Sequence, residues 1–183
     1  MKRSPLPPKD FLDECFEYNP ETGSLTWKTR PAHHFASVAR WRAFNTRFAG
    51  KPALNSPDGQ GYLRGSISYH GKATFYRQHR VIWKLMTGED PVEEIDHKDL
   101  DRSNNRWSNL REATRSENFY NKPRRRDNQS GFKGVSPHRD GYTATIRVRG
   151  RRHYLGRFSS AEEAHKAYTR AAEHLHGKYS RTT

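Results

Sequence analysis

Two adjacent residues, Asp96 and His97, open a stretch whose residue types could do chemistry, IDHKDLDRSNNRWSNLREATRSENFYNK, running from Ile95 to Lys122. On a short strand entered from apolar Ile95, neighbouring side chains point to opposite faces, so one of the pair can hold a metal while the other faces a substrate. A neutral imidazole with a pKa near about 6.5 can take a proton from water at physiological pH. The elements that must position the pair follow directly. The segment DLDRSNNRWSN is rich in Asp, Asn and Ser and predicts an ordered loop. Leu110 to Thr114 can return as a second strand. Thr114 and Glu117 stand three apart, as in a capping box, so a helix starts near Arg115 and stops before Pro123. Asn118 falls in its first turn, where it can face back toward Asp96 and His97, and a hairpin and a helix then bracket one small site. Taken singly, each of these residues is also what an ordinary Asx-rich turn contains; their order sets them apart.

The stretch resembles the ββα-metal (HNH) endonuclease motif, most closely the variant of phage and intron homing endonucleases whose last position is Asn. The resemblance implies that Asp96 and Asn118 are metal ligands, that His97 is the general base, and that Asn109 is the central Asn that fixes the loop and the orientation of the histidine. Asn118 replaces the terminal His of the motif. A carboxylate with an amide oxygen suits a hard cation such as Mg²⁺, or Mn²⁺, better than zinc. A bound cation stabilises charge on the phosphorane and on the leaving oxygen.

Composition sets the class of partner. The 183 residues suffice for one ordinary domain or two small ones, and a formal net charge of +14 points to a polyanion, most simply nucleic acid; the resemblance to the HNH endonucleases implies that it is double-stranded DNA. Residues 123–183 hold 14 Lys and Arg against 5 Asp and Glu, a net of +9; residues 1–122 hold 20 against 15, a net of +5. Cys15 is the only cysteine, which excludes a disulfide and a cysteine-based zinc knuckle. The charged, Pro-rich start and the lack of a long apolar run predict an intracellular protein, cytoplasmic in the host cell if phage-encoded, with no membrane partner.

Ahead of the site, residues 10–18 predict a short amphipathic helix, and Asn-Pro and Thr-Gly turn signals precede a strand at Leu25-Thr26-Trp27. His33 and His34 are adjacent, but with no acidic or cysteine partner at ligand spacing they read as surface histidines. Residues 61–78 predict a hairpin turning at His70-Gly71, and 79–88 a helix ending at Gly88. The segments YNPETGSLTW and HRVIWKLMTGEDP look like what precedes the site in many phage HNH proteins, which extends the resemblance to roughly Phe11–Lys122; His79 and Arg80 recur in that pattern as scaffold or phosphate contacts.

Residues 123–130, with Arg124, Arg125 and Arg126, predict an exposed basic linker able to track a phosphate backbone. Beyond it a second domain, 131–183, carries a strand candidate at Phe132–Val135, an alternating strand at Tyr142–Arg149, a third strand at Arg152–Phe158, and a helix on which Ala164, Ala167, Tyr168, Ala171, Ala172 and Leu175 form one face before Gly177. Alternation would bury Tyr142, Ala144, Ile146 and Val148 and show Thr143, Thr145, Arg147 and Arg149. The segments GFKGV, YTATIRV, YLGRF, SSAEEAHKAY and LHGKYSR resemble the plant ethylene-response-factor (AP-two/ERF) DNA-binding domain. That resemblance implies a three-stranded sheet in the major groove with Lys133, Ser136, His138, Arg147, Arg152 and Tyr154 at contacting positions. Ser136, Thr145 and Tyr154 differ from the usual Arg, Glu and Trp, so no target sequence carries over.

The sequence thus predicts an α+β chain, a ββα-metal nuclease module (1–122) joined by a linker to a three-stranded antiparallel sheet packed on one helix. Its expected function is site-specific, metal-dependent hydrolysis of DNA by a monomeric, free-standing homing endonuclease. The alternative is a non-catalytic DNA-binding regulator retaining the same scaffold.

Overall fold

The computed structural model describes residues 4–182, a mixed α+β chain of small antiparallel sheets. Its contacts divide it into two compact units, Met1–Glu112 and Ala113–Thr183. Among the described residues no helix is long and apolar enough to cross a membrane.

In the first unit α1 (Lys9–Cys15) buries Leu12 and Cys15. The helix stops three residues earlier than its apolar periodicity predicts, because Phe16 turns extended and β1 (Phe16–Tyr18) pairs antiparallel with β2 (Leu25–Trp27). Between them, Asn19 Oδ1 accepts from the N–H groups of Glu21 and Thr22. A helix unforeseen in the sequence, α2 (Val38–Phe48), is capped by Ser37, whose side chain accepts from the N–H of Arg40. Phe44 of this helix and Phe35 just ahead of it flank an arginine: the guanidinium of buried Arg30 lies 5.0 Å from the Phe44 ring and 4.9 Å from that of Phe35.

A three-stranded sheet follows, β3 (Ser56–Pro57), β4 (Leu63–Tyr69) and β5 (Lys72–Arg77) in that spatial order. The β4–β5 hairpin turns at His70 and Gly71, both at positive φ (48° and 73°), the two-residue turn whose twist matches the strands. Helix α3 (Gln78–Thr87) ends on Gly88 in the left-handed conformation and buries Val81 and Ile82 with Ile67, Phe16, Leu25 and Ile95 in one core. The unit closes with β6 (Glu94–His97) paired with β7 (Leu110–Ala113).

In the second unit α4 (Arg115–Tyr120) starts as its sequence predicts, with both halves of the Thr114/Glu117 capping box formed. The sheet is β8 (Val135–His138), β9 (Gly141–Val148) and β10 (Arg151–Phe158), with β9 in the centre and all pairings antiparallel. Helix α5 (Ala161–His176) packs Ala164, Tyr168 and Ala172 against Val135, Ala144 and Ile146. Two expectations shift here. Residues 132–134 form a turn, not a strand, because the Asn128 and Ser130 side chains bond the carbonyls of Phe132 and Val135. At the end of α5 Leu175 is exposed and His176 is buried instead, its ring stacked on Tyr120 at 3.7 Å and bonded through Nε2 to the Arg147 carbonyl. Helix α4 therefore belongs to the C-terminal unit, and the division falls ahead of residue 123.

The 19–23 turn also fixes a distant loop. Gly23 sits at φ +77°, and a Cβ there would lie 2.5 Å from the Arg106 nitrogen and 2.7 Å from the Asn105 carbonyl carbon, both backbone. The same turn accepts from Trp107 N through Pro20 O and from Arg106 Nε through Glu21 O. Gly23→Ala combines a left-handed backbone penalty with an overpacked backbone contact and is expected to destabilise the first unit by roughly 2–4 kcal/mol, read as a lowered denaturant midpoint at unchanged slope.

Candidate functional site

Asp96 and His97 end β6 as adjacent residues, and both are buried, at 3% and 4% relative exposure. Arg111 on β7 donates to Asp96 Oδ2 from Nε (2.8 Å) and from Nη2 (2.7 Å), which fixes the carboxylate. Burial holds the His97 imidazolium disfavoured, pulling its pKa below the usual histidine value; its hydrogen bond to Asn105 and the carboxylates of Asp99, Asp96 and Asp101 oppose this in part. A ring that stays neutral in this way is competent to accept a proton.

The loop between the strands is ordered by its own side chains. Asn109 Nδ2 donates to Asp99 Oδ1 (2.9 Å) and to the Asn104 carbonyl (2.8 Å), and its Oδ1 accepts from the Asp99 N–H (3.1 Å). The Asn109 carbonyl accepts from the Lys98 N–H at 3.0 Å. The central Asn thus fastens the loop, but the bond to the histidine ring comes from another residue: His97 Nε2 lies 3.0 Å from Asn105 Oδ1. Asn105 continues to Gln78 (Nδ2 to Oε1, 2.6 Å), and Gln78 Nε2 donates to the Ala53 carbonyl (2.7 Å). Neither Asn105 nor Gln78 stands out in the sequence, which puts Gln78 at the end of the predicted hairpin, whereas the structure makes it the first residue of α3. Tyr62 and His79 also flank the site, with ring centroids 5.8 and 5.2 Å from that of His97. Arg77 and Arg102 lie over the Tyr62 ring at 4.1 and 4.9 Å.

Asn118 lies in the first turns of α4, half-buried, in the second unit. In that unit Ser136, His138, Arg147, Arg152 and Tyr154 are exposed, and Thr143 and Thr145 half-exposed. Cross-strand register sets Arg147 opposite Arg152, Thr145 opposite Tyr154, and Thr143 opposite both Ser136 and Arg157. Arg157, displaced by a bulge after Tyr154 and ion-paired with Asp140, joins this face; the sequence pattern does not show it because the bulge breaks the alternation. A cleft of about 670 Å³ brings Arg124 and Arg125 of the linker together with Arg147 and Arg152 of the sheet; Arg126 is exposed nearby in sequence.

Two residues differ from the alternation and the resemblance. Arg149 is not on the strand face: with φ +47° it forms the β9–β10 turn with Gly150, and its N–H donates to the Tyr120 hydroxyl. Lys133 points inward, its ammonium donating to the carbonyls of Tyr120 (2.6 Å), Lys122 (2.6 Å) and Arg181 (2.9 Å). Burial, with Arg181 adding to it, brings its pKa down to about 8. Its three protons are used within the unit, which is a structural role.

The adjacent histidines also gain a partner that their spacing hides. Glu14 Oε2 lies 2.6 Å from His34 Nε2 and 3.2 Å from His33 Nε2, and His34 is buried rather than on the surface. Arg30 Nε donates to His34 Nδ1 (3.2 Å), so the proton of neutral His34 is on Nε2 and goes to Glu14. The cluster is a hydrogen-bonded brace, since a cation at Nε2 would have to displace that proton beside a guanidinium.

Residues 76–120 match the family model of the HNH endonucleases. The chain is 32% identical over 108 residues to Protein 3.8 of Escherichia phage T7, a match covering 57% of this chain and 88% of that protein. It is 33% identical over 104 residues to an uncharacterised HNH endonuclease of Acanthamoeba polyphaga mimivirus, covering 56% and 54% respectively, so it spans about half the length of that relative. Among solved structures, the HNH homing endonuclease I-HmuI, described in DNA binding and cleavage, aligns at a TM-score of 0.40 and 23% identity over 58% of this chain and 51% of that one. The chain belongs to the HNH endonuclease family.

Proposed function

We propose that the chain is a site-specific endonuclease that hydrolyses a phosphodiester of double-stranded DNA with one divalent metal ion, Mg²⁺ or another such as Mn²⁺, in the manner of a free-standing phage homing endonuclease acting in the host cytoplasm. The observation that carries this reading is the buried Asp96–His97 pair inside the family-matched segment, with the ring held neutral and the carboxylate held by Arg111. His97 takes the proton of the attacking water. Asp96 and Asn118 supply oxygen donors of the kind a hard cation prefers, and in the family such an ion, when bound, stabilises the phosphorane and the leaving oxygen. Asn109 contributes by fastening the loop, through the three side-chain bonds described above. A single site in a monomer makes a strand nick the default outcome.

DNA recognition is assigned to the second unit in the manner of an AP-two/ERF-like domain. The exposed sheet face carries Ser136, His138, Thr143, Thr145, Arg147, Arg152 and Tyr154, and Arg124, Arg125 and Arg126 bind backbone phosphates. Phosphate contacts of this kind set affinity and salt dependence, and base-edge contacts set specificity.

Supercoiled plasmid and genomic DNA incubated with the full chain should be cut with Mg²⁺ and left intact with EDTA, and Asp96→Ala should shift the Mg²⁺ activation midpoint upward. Metal-independent binding with no cleavage would favour a regulator on an HNH scaffold. Arg147→Ala should lose roughly 1–3 kcal/mol at the preferred site if Arg147 reads a guanine, and much less on random duplex; Arg124→Ala should weaken both alike and reduce the salt slope by about 1. Binding to both duplexes over a salt series measures this, and equal losses for Arg147→Ala would reduce the sheet to a phosphate contact.

A further inference from the structure

The hydrogen bonds behind His97 have a direction that can be read from one end. A backbone carbonyl can only accept, so the group of Gln78 facing the Ala53 carbonyl at 2.7 Å is its NH₂. That leaves Gln78 Oε1 facing Asn105 at 2.6 Å, and an amide oxygen can be met there only by the Asn105 NH₂. Asn105 therefore presents Oδ1 to His97 Nε2 at 3.0 Å, and the ring nitrogen on that side must carry the hydrogen. All three side chains are buried, Gln78 at 3%, Asn105 at 2% and His97 at 4% exposure, so water does not substitute for any of these partners at low cost. The backbone of Asn105 is held as well. Its carbonyl accepts from the Tyr18 hydroxyl at 2.8 Å, and Gly23 packs directly on its carbonyl carbon.

We infer that Gln78 and Asn105 are positioning residues that lock His97 in the Nε2–H tautomer through this one-way amide relay, making Nδ1 the nitrogen that accepts the water proton. Neither amide touches the reacting atoms. Gln78 acts through Asn105, and Asn105 acts through the ring. Without Gln78, the Asn105 amide is free to rotate by half a turn and offer its NH₂ to Nε2, which would favour the opposite tautomer and move the basic lone pair to the wrong side of the ring.

The relay can be tested apart from activity, and only its kinetic consequence rests on the nuclease reading. Long-range ¹H–¹⁵N spectra of the ¹⁵N-labelled full chain, taken near about pH 8 where histidines are neutral, distinguish the two tautomers. The His97 ring is identified as the signal lost in His97→Gln. The wild-type ring should show the Nε2–H pattern alone. Gln78→Met should show both tautomers, Asn105→Leu likewise, and Asn105→Asp, which keeps an acceptor at Nε2, should restore the Nε2–H pattern. Where DNA is cleaved, Gln78→Met should lower kcat by at least about tenfold at nearly constant KM, since a misplaced tautomer affects the proton transfer and not docking. An Nδ1–H ring in the wild type, or an unchanged His97 spectrum in Gln78→Met, overturns the inference. A wild-type chain with the Nε2–H ring that never cuts DNA leaves the relay standing and removes the nuclease reading instead. Should Asn105→Leu fail to fold, the wild-type and Gln78→Met spectra still decide.

Discussion

The hydrogen bonds that fasten residues 98–109 are what the rest of the site depends on. Twelve residues of almost wholly polar chain cannot be ordered by hydrophobic burial, and each buried amide or carbonyl left unmet would cost on the order of 1–3 kcal/mol. The loop meets that constraint by using short amide and carboxylate side chains as its own scaffold. Asn109 bridges its two ends, Asp99 and Asp101 cap its internal turns, and Asn105 turns inward to the core beneath β6. A loop held in this way can place an imidazole and a carboxylate side by side with little freedom, which is the preorganisation that catalysis by positioned groups requires. Arg111 completes it from the neighbouring strand.

The N-terminal hundred residues are then more than a platform. The turn at 19–23 closes on the backbone of Asn105 and Arg106, α3 supplies Gln78 from its first residue, and the apolar core of Phe16, Leu25, Val81, Ile82 and Ile95 fixes both relative to β6. The buried guanidinium of Arg30, surrounded by aromatic faces and bonded to His34, ties α1 and α2 into the same unit. The second unit follows a different economy. Small alanines let α5 lie against the central strand, and the opposite face of the sheet is left to arginine, threonine and tyrosine. Residues 123–183 carry a net charge of +9 against +5 for residues 1–122, the excess that the proposed grip on a polyanion would use.

Much of this was legible where physics acts locally. The Thr114/Glu117 box, the His70-Gly71 turn, the Gly88 stop and the alternation of β9 each follow from interactions between residues a few positions apart, and each is found where the sequence puts it. What escaped depends on partners distant in the chain. Gln78 and Asn105 are 27 positions apart, and nothing in either neighbourhood marks them as a pair. Glu14 meets His34 across 20 positions, so a search at ligand spacing finds no partner. Lys133 is expected at a DNA contact because the family resemblance aligns it with a contacting position, whereas the carbonyls of Tyr120, Lys122 and Arg181 take its protons. Arg149 keeps the parity of the strand in sequence but lies one residue past its end, where the turn reverses the chain.

In the proposed reaction the buried His97 ring accepts a proton from water during phosphodiester cleavage. Single-turnover cleavage by His97→Ala, compared with wild type on DNA already bound and at equal Mg²⁺, tests it most directly. The rate should fall by roughly 10²–10⁴-fold with DNA affinity nearly unchanged, because a general base is lost from the chemical step alone. Cleavage at the wild-type rate, with binding intact, would contradict it.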